Sequence, residues 1–548
     1  MAVIITEARN LIDEADAVTD WESPVGGEAE TVVTADPSPM ELTGCLGLTI
    51  SQEAGETVHT YSADFTSTII YGWAQVIGAV DDLATGGLAI ALYDDTNLVA
   101  YHVAGSDVAG FRHSVGPVGW QCIMLDTSQL PTTYYTELVG THAALMVNIA
   151  SITAVGYYFS VASKALGGAK NCFIDILRHG VDGIIITGGG VGTEGDFSEI
   201  AAADRTDTNL TAFGICHELG AGLFGLQGPL TFGDDGGTGS VDFLSTNEVI
   251  VFEDRGLGTS RYYTNVKGNG TGSTSFQLGN QIGATTAGKD GSSLICPIDV
   301  GAKFDASDTD VEYVLIYGSL IKGFNNGVLF SADATNGPNH EIFDTSFIGC
   351  GQIDPGKAQF KNNSISNTTS SGTGAVLLDG DGTSAWSDLT FTSGVSGHGV
   401  YITVSGTYTF DNIQMIGYGG NGTIDAAIYN NSGGLVTIDS TNGSSGLTYL
   451  NGVSASTSIV SSVIITLTGL VSSSEVRVYD AGTTTELDGI ENSGTSFEFT
   501  LNNAVYPYVD VVIHHLDYKY YRVSNYEVPS TSTSLPIAQE KDRWYSNP

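Results

Sequence analysis

Carboxylates are the side chains of this sequence with the most chemical potential, because 61 Asp and Glu stand against 19 Lys and Arg. Enzymes that cleave polysaccharides on a β-helix set two or three acids on neighbouring rungs of one face. One protonates the leaving oxygen and another activates water or attacks the sugar. Asp344, Asp388 and Asp411 fall near the starts of copies of a short repeat and form the candidate catalytic set. Asp344 and Asp388 occupy the same position of that repeat, whereas Asp411 is displaced by one, which in a strand turns a side chain to the opposite face. The competing reading makes all three turn residues or rungs of an Asn/Asp ladder. The pattern favours it, and no catalytic residue is assigned.

Other candidates are weighed the same way. Asp379 and Asp381 lie in DGDGT, a fragment of a calcium-loop pattern, and Asp234 and Asp235 in GDDGG. Neither stretch carries the remaining ligands or the closing Glu of such a loop. A structural calcium ion is compatible with the charge; no other cofactor is expected. Trp73, Tyr93, Tyr101 and Trp120 are of the type that stacks on sugar rings, although aromatics in strands more often fill a core. The ten His form no metal-spaced cluster. Cys45, Cys122, Cys172, Cys216, Cys296 and Cys350 include no CxxC and read as buried thiols. Gly188–Gly190 lacks both phosphate-loop spacings and reads as a turn.

These residues have to be held by strands. From Val311 to Gly443 a pattern recurs in which two apolar residues stand five apart: Leu315/Leu320, Ile342/Phe347, Phe360/Ile365, Trp386/Phe391 and Phe410/Met415. The second is usually preceded by Ser or Thr, which supports stacking at a turn. A spacing of five does not fit helical i, i+3, i+4 periodicity, and 71 Gly argue further against helices. Repeats of this size, with Gly, Asn and Ser at the turns, suit coils that bury their inward side chains only by stacking on neighbours. The fold class expected is all-β, with a central right-handed parallel β-helix.

The helix is flanked by other β units. Residues 1–180 carry alternating strands of a β-sandwich, closed by Phe173, Ile174 and Ile176. A linker, 181–212, holds DFSE, in which Asp196 is placed to cap a short helix and Glu199 to complete the box. The β-helix is assigned to 213–455, a small immunoglobulin-like β-sandwich to 456–526, and an extended tail to 527–548. The tail is of the kind that clasps a neighbouring chain or frays. The first sandwich resembles the jelly rolls of carbohydrate-binding and laminin-G-like domains, which implies glycan contact.

A formal charge of −42 excludes nucleic acid and anionic membrane as partners. No signal peptide is legible in MAVIITEARNLIDEAD, and no apolar run reaches the length of a membrane helix. Sandwich, capping helix, β-helix, second sandwich and tail together resemble virion proteins of tailed bacteriophages. The stretches VIVFEDRGLGTSRYYTNVKGNGTGSTSFQLG (249–279) and VRVYDAGTTTELDGIENSGTSFEF (476–499) are the most similar to such proteins. The resemblance implies a virion location, a homotrimer, contacts with other tail or capsid proteins, and recognition of a host surface glycan by a tail spike, fibre or appendage. A capsid decoration protein or head fibre is the first alternative and a polysaccharide depolymerase the second; no enzyme is the primary expectation.

Overall fold

The structure, a computed structural model, describes residues 4–6, 10–13, 15, 21–22, 29–33, 45–49, 54–76, 83–103, 121–130, 135–140, 142–145, 148–161, 172–180, 184–188, 195–206, 216–226, 229–234, 237, 239–252, 263–280, 290–296, 302–366, 373–380, 386–394, 397–503, 505–529 and 531–542. The chain is all-β and falls into two units, Met1–Gly351 and Gln352–Pro548.

The first unit begins with two antiparallel six-stranded sheets. Alternation sends one side of each strand inward, as in Ile69–Val76, where Ile70 and Ala74 join a core with Leu46, Leu92, Tyr101, Leu125, Tyr157 and Ile174. Cys172–Gly180 is an interior strand of one sheet, paired with Ile69–Val76 on one side and with Cys45–Thr49 and Asn10–Asp13 on the other. Parallel pairing starts within the stretch read as linker, since Ile184–Gly188 already lies in register with Leu230–Phe232. Between them, the helix Phe197–Thr206 begins where Asp196 Oδ1 accepts from the Glu199 backbone N–H at 2.8 Å. Such a cap satisfies an N–H that the helix itself leaves unpaired. Phe197 then meets Phe243 edge-on, with ring centroids 5.0 Å apart, which covers the first coil.

Parallel coils follow, each contributing strands to three sheets. One sheet of this unit runs through Val241–Ser245, Thr274–Leu278, Tyr313–Tyr317 and Glu341–Phe343. The inward column Phe243, Phe276, Val314 and His340 is buried throughout. Stacking of like on like is the source of stability here, because each buried aromatic ring removes on the order of 150–250 Å² from water. The Phe243 and Phe276 rings are nearly parallel, with centroids 5.6 Å apart.

The second unit opens with coils of the same kind. Gln359–Lys361, Trp386–Ser387, Gly406–Asp411 and Leu435–Thr441 form one sheet, and Gly374–Leu378, His398–Ile402, Ile428–Asn430 and Tyr449–Asn451 another. Ser456–Thr468 is shared between architectures: its first half pairs in parallel with Leu435–Thr441, and its second half antiparallel with Ser496–Asn502 of the small sandwich. Val463, Ile465, Val476, Phe499, Val511 and Ile513 form the core of that sandwich. The tail packs on its own chain as far as Asp542. Thr533–Pro536 pairs in parallel with Ile465–Thr468, and Ile537 is buried in the same core. Trp544 and Tyr545 lie outside the described residues.

Four of the five apolar pairs point inward as spaced: Ile342/Phe347, Phe360/Ile365, Trp386/Phe391 and Phe410/Met415 are all buried. The first is offset by one. Ile316 and Ile321 are the buried residues, in register with Ile342 and Phe347, while Leu315 and Leu320 face outward. In VLIY every residue is apolar, so no alternation fixed the face. Replacing Ile316 with Ala should therefore destabilise the unit by about 2–5 kcal/mol. Leu315→Ala should shift it by less than about 1 kcal/mol in the same denaturant unfolding experiment.

His340 is fully buried and its Nδ1 accepts from the Val314 backbone N–H at 2.9 Å. Burial disfavours the imidazolium and pushes its pKa down to about 4. Between that value and the ordinary 6.5 the unfolded chain binds a proton that the folded chain refuses. His340 thus favours folding above pH 6.5, and that contribution is lost as pH falls towards 4. His340→Gln, whose amide oxygen can still accept from Val314, should flatten the decline of melting temperature over this interval; an unchanged slope would contradict the assignment.

Candidate functional site: an acidic, aromatic sheet face

On the sheet that carries the His340 column, alternate residues turn outward. Register places Asp242 beside Ser275 and Ser275 beside Tyr313, giving one column; Leu244, Gln277, Leu315 and Glu341 give the next; Tyr317 and Phe343 the third. Strands about 4.8 Å apart put the Asp242 and Tyr313 backbones roughly 10 Å apart. Tyr313 is 39% exposed. Glu312 precedes it and is anchored through its backbone N–H, which donates to Thr274 O at 3.0 Å.

Electrostatics tie the carboxylates together. Asp242 is held above the ordinary carboxylate range, first by partial burial and then by the negative charge of Glu312. Tyr317 Oη donates to Glu341 Oε2 at 2.6 Å, and its ring lies 5.8 Å from Phe343. Burial first, then that hydrogen bond to a carboxylate, raises the Tyr317 phenol above its usual value. The face therefore offers an exposed aromatic ring flanked by hydrogen-bond acceptors, and two acids of which one holds its proton longer. Alternation in VDFLS and the Glu-Tyr pair before VLIY are the only sequence signals of it.

The candidates read from sequence lie elsewhere. Asp344 and Asp388 both adopt positive φ, 56° and 58°, at the corner following a strand. In the second unit the Asp388 backbone N–H donates to Asp411 O at 2.9 Å, and Asn412 Nδ2 donates to Asp388 Oδ1 at 2.7 Å. Asp411 sits one position earlier, in register with Ser387, and accepts from Thr441 Oγ1 at 2.9 Å and from Asn442 Nδ2. Asp388 and Asp411 thus take part in a turn and ladder network. Trp73 and Tyr101 are buried at 1% and 2% exposure. Tyr93 is half-buried against the Ala-rich outer layer of its sheet. Trp120, Asp235 and Asp381 lie outside the described residues; Asp234 is exposed and Asp379 half-buried. Among the described residues no group of three or more His, Cys, Asp or Glu is placed to hold a metal ion. Cys45, Cys216, Cys296 and Cys350 are buried, and burial pushes the Cys350 thiol up to about 12.

No protein-family model matches the sequence, and no curated protein matches it. Among solved structures, the Agl-KA catalytic domain is 11% identical, with 83% of this chain and 98% of that one covered at a TM-score of 0.20. The catalytic unit of a thermostable GH87 alpha-1,3-glucanase from Streptomyces thermodiastaticus strain HF3-3 is 9% identical, with coverage of 81% and 97% and a TM-score of 0.17. Overlaps this loose transfer neither activity nor residue roles to this chain.

The coupling of the two outer acids has a direct consequence. A raised Asp242 favours the fold at acid pH, and the advantage fades as pH rises through its raised value. Glu312→Gln should lower the Asp242 titration midpoint, measured by carboxyl carbon NMR. An unmoved midpoint would show that the two do not interact.

Proposed function

We propose that this chain is a virion component of tailed-bacteriophage type, a tail-associated spike, fibre or appendage assembled as a homotrimer, which binds a neutral glycan of the host surface. The observation that carries the glycan part is the outward face on which half-exposed Tyr313 stands among Asp242, Glu312 and Glu341. A pyranose presents C–H faces that pack on aromatic rings and hydroxyls that donate to carboxylates. The net charge of −42 repels polyanionic sugars, which leaves neutral chains as the fitting class.

A second reading is favoured by one feature. Asp242, held above its ordinary value by partial burial and then by the negative charge of Glu312, forms with Glu312 a pair of neighbouring carboxyl groups, and glycoside hydrolysis is carried out by two carboxyl groups. Hydrolysis on this face would make the chain a depolymerase.

Calorimetric titration of the purified chain with neutral host polysaccharide tests the first reading. Tyr313→Ala and Glu341→Gln should each weaken binding about tenfold or more, the equivalent of about 1.4 kcal/mol. Absence of binding, or equal binding by both variants, sinks it. New reducing ends that disappear with Asp242→Asn would establish the second; none at all removes it and leaves binding intact.

A further inference from the structure

Glu248 is only 6% exposed, although the outer sheet face makes no use of it. Its place in the chain explains the burial. Asn247, with φ 57°, turns the corner after Val241–Ser245, and the next carboxyl then lies against the start of the helix Phe197–Thr206. Glu248 Oε2 accepts from the Phe197 backbone N–H at 3.3 Å. Phe197 is itself fully buried, edge-on to Phe243 and 6.4 Å from the Phe224 ring. On the coil side, Ser292 Oγ accepts from the Glu248 backbone N–H at 3.2 Å and from Ser245 Oγ at 2.8 Å.

The surroundings supply no fixed cation. Besides Glu248, the segments 195–200, 216–226, 241–252 and 290–296 hold Asp196, Glu199, Glu218, Asp242 and Asp290, with His217 and the thiols Cys216 and Cys296, and neither Lys nor Arg. Compensation comes from the helix, whose first N–H groups are unpaired within it and carry partial positive charge. Asp196 draws on the same turn, accepting from the Glu199 backbone N–H at 2.8 Å and from Ser198 Oγ at 2.7 Å. Burial holds the Glu248 carboxyl above its ordinary range; the Ser245 hydroxyl lowers it and the charge of Asp196 raises it again.

We infer that Glu248 and the helix Phe197–Thr206 form a pH-dependent latch over the first coil, firmest in acid and looser as pH rises. Lifting the helix returns the carboxyl to water, where its ordinary value holds. A carboxyl raised under the closed helix therefore favours closure in acid, and the preference fades as pH rises through the raised value. What the latch covers is a strand edge. Gly195, just before the helix, donates its N–H to Asp242 O at 3.0 Å and accepts from the Leu244 N–H at 2.8 Å. Lifting it bares that edge of Val241–Ser245, the strand that carries Asp242, and an unpaired edge is open to new pairing. The inference holds whether or not the outer face binds a glycan.

Amide hydrogen exchange of the full chain, without polysaccharide and corrected for the intrinsic pH dependence of exchange, tests it. Protection of the helix amides should fall at least about threefold between about pH 5 and about pH 8, relative to the strand Ser496–Asn502 of the other unit. Glu248→Gln, which keeps an acceptor for Phe197 but cannot ionise, should hold the acid level of protection across the range. If that variant fails to fold, the wild type still decides: the Glu248 titration, followed by carboxyl carbon NMR, must share its midpoint with the change in protection. Protection that ignores pH, or midpoints that differ, overturns the inference. So does a pH dependence that survives in Glu248→Gln and vanishes in Asp242→Asn, since the outer face would then be the switch.

Discussion

A parallel coil has to change direction between sheets without losing register, and here it does so through single residues with positive φ. Gly279, Gly318 and Asp344 serve in the first unit, and Asn362, Asp388, Asn412 and Asn442 in the second. Left-handed backbone costs most residues about 1–2 kcal/mol, whereas Gly has no such penalty and Asn and Asp offset part of it with local hydrogen bonds. The corner admits little else. Because a strand centre, the strand end, the corner, one buried residue and the next strand start follow in fixed order, the inward residues on either side fall five apart. The same constraint explains why acids recur at matching positions of the repeat without being brought together for chemistry.

Much of the fold was legible for this reason. Spacing of five, with Asn and Asp between, marks strand, corner, strand, and the inward Phe and Ile residues stack as the pattern implies. Legibility failed where local patterning was degenerate. In Tyr313–Tyr317 the apolar run conceals which side is inside, and only register with Ile342 decides it. Ile184–Gly188 could not be read as a coil strand, because its parallel partner lies about forty residues later with a helix between.

The outer face was less legible than the core. Asp242, Glu312 and Glu341 come from separate coils and are neighbours only through register. Single acids in a sequence holding 61 of them carry no signal by themselves. Conversely, Trp73 and Tyr101, prominent in sequence as possible sugar platforms, are spent on burial. Charge is also distributed with consequence. The first unit places Asp242 and Glu341 on a sheet face around the exposed Tyr313, whereas in the second unit the strands Gly374–Leu378, His398–Ile402, Ile428–Asn430 and Tyr449–Asn451 carry no charged residue.

Hydrogen–deuterium exchange of the full chain, with and without a neutral host polysaccharide, addresses the central claim most directly. Protection confined to amides around 312–317 and 341–343 is the result the account predicts. Protection elsewhere with none in these strands, or no change under conditions where the polysaccharide is bound, would contradict it.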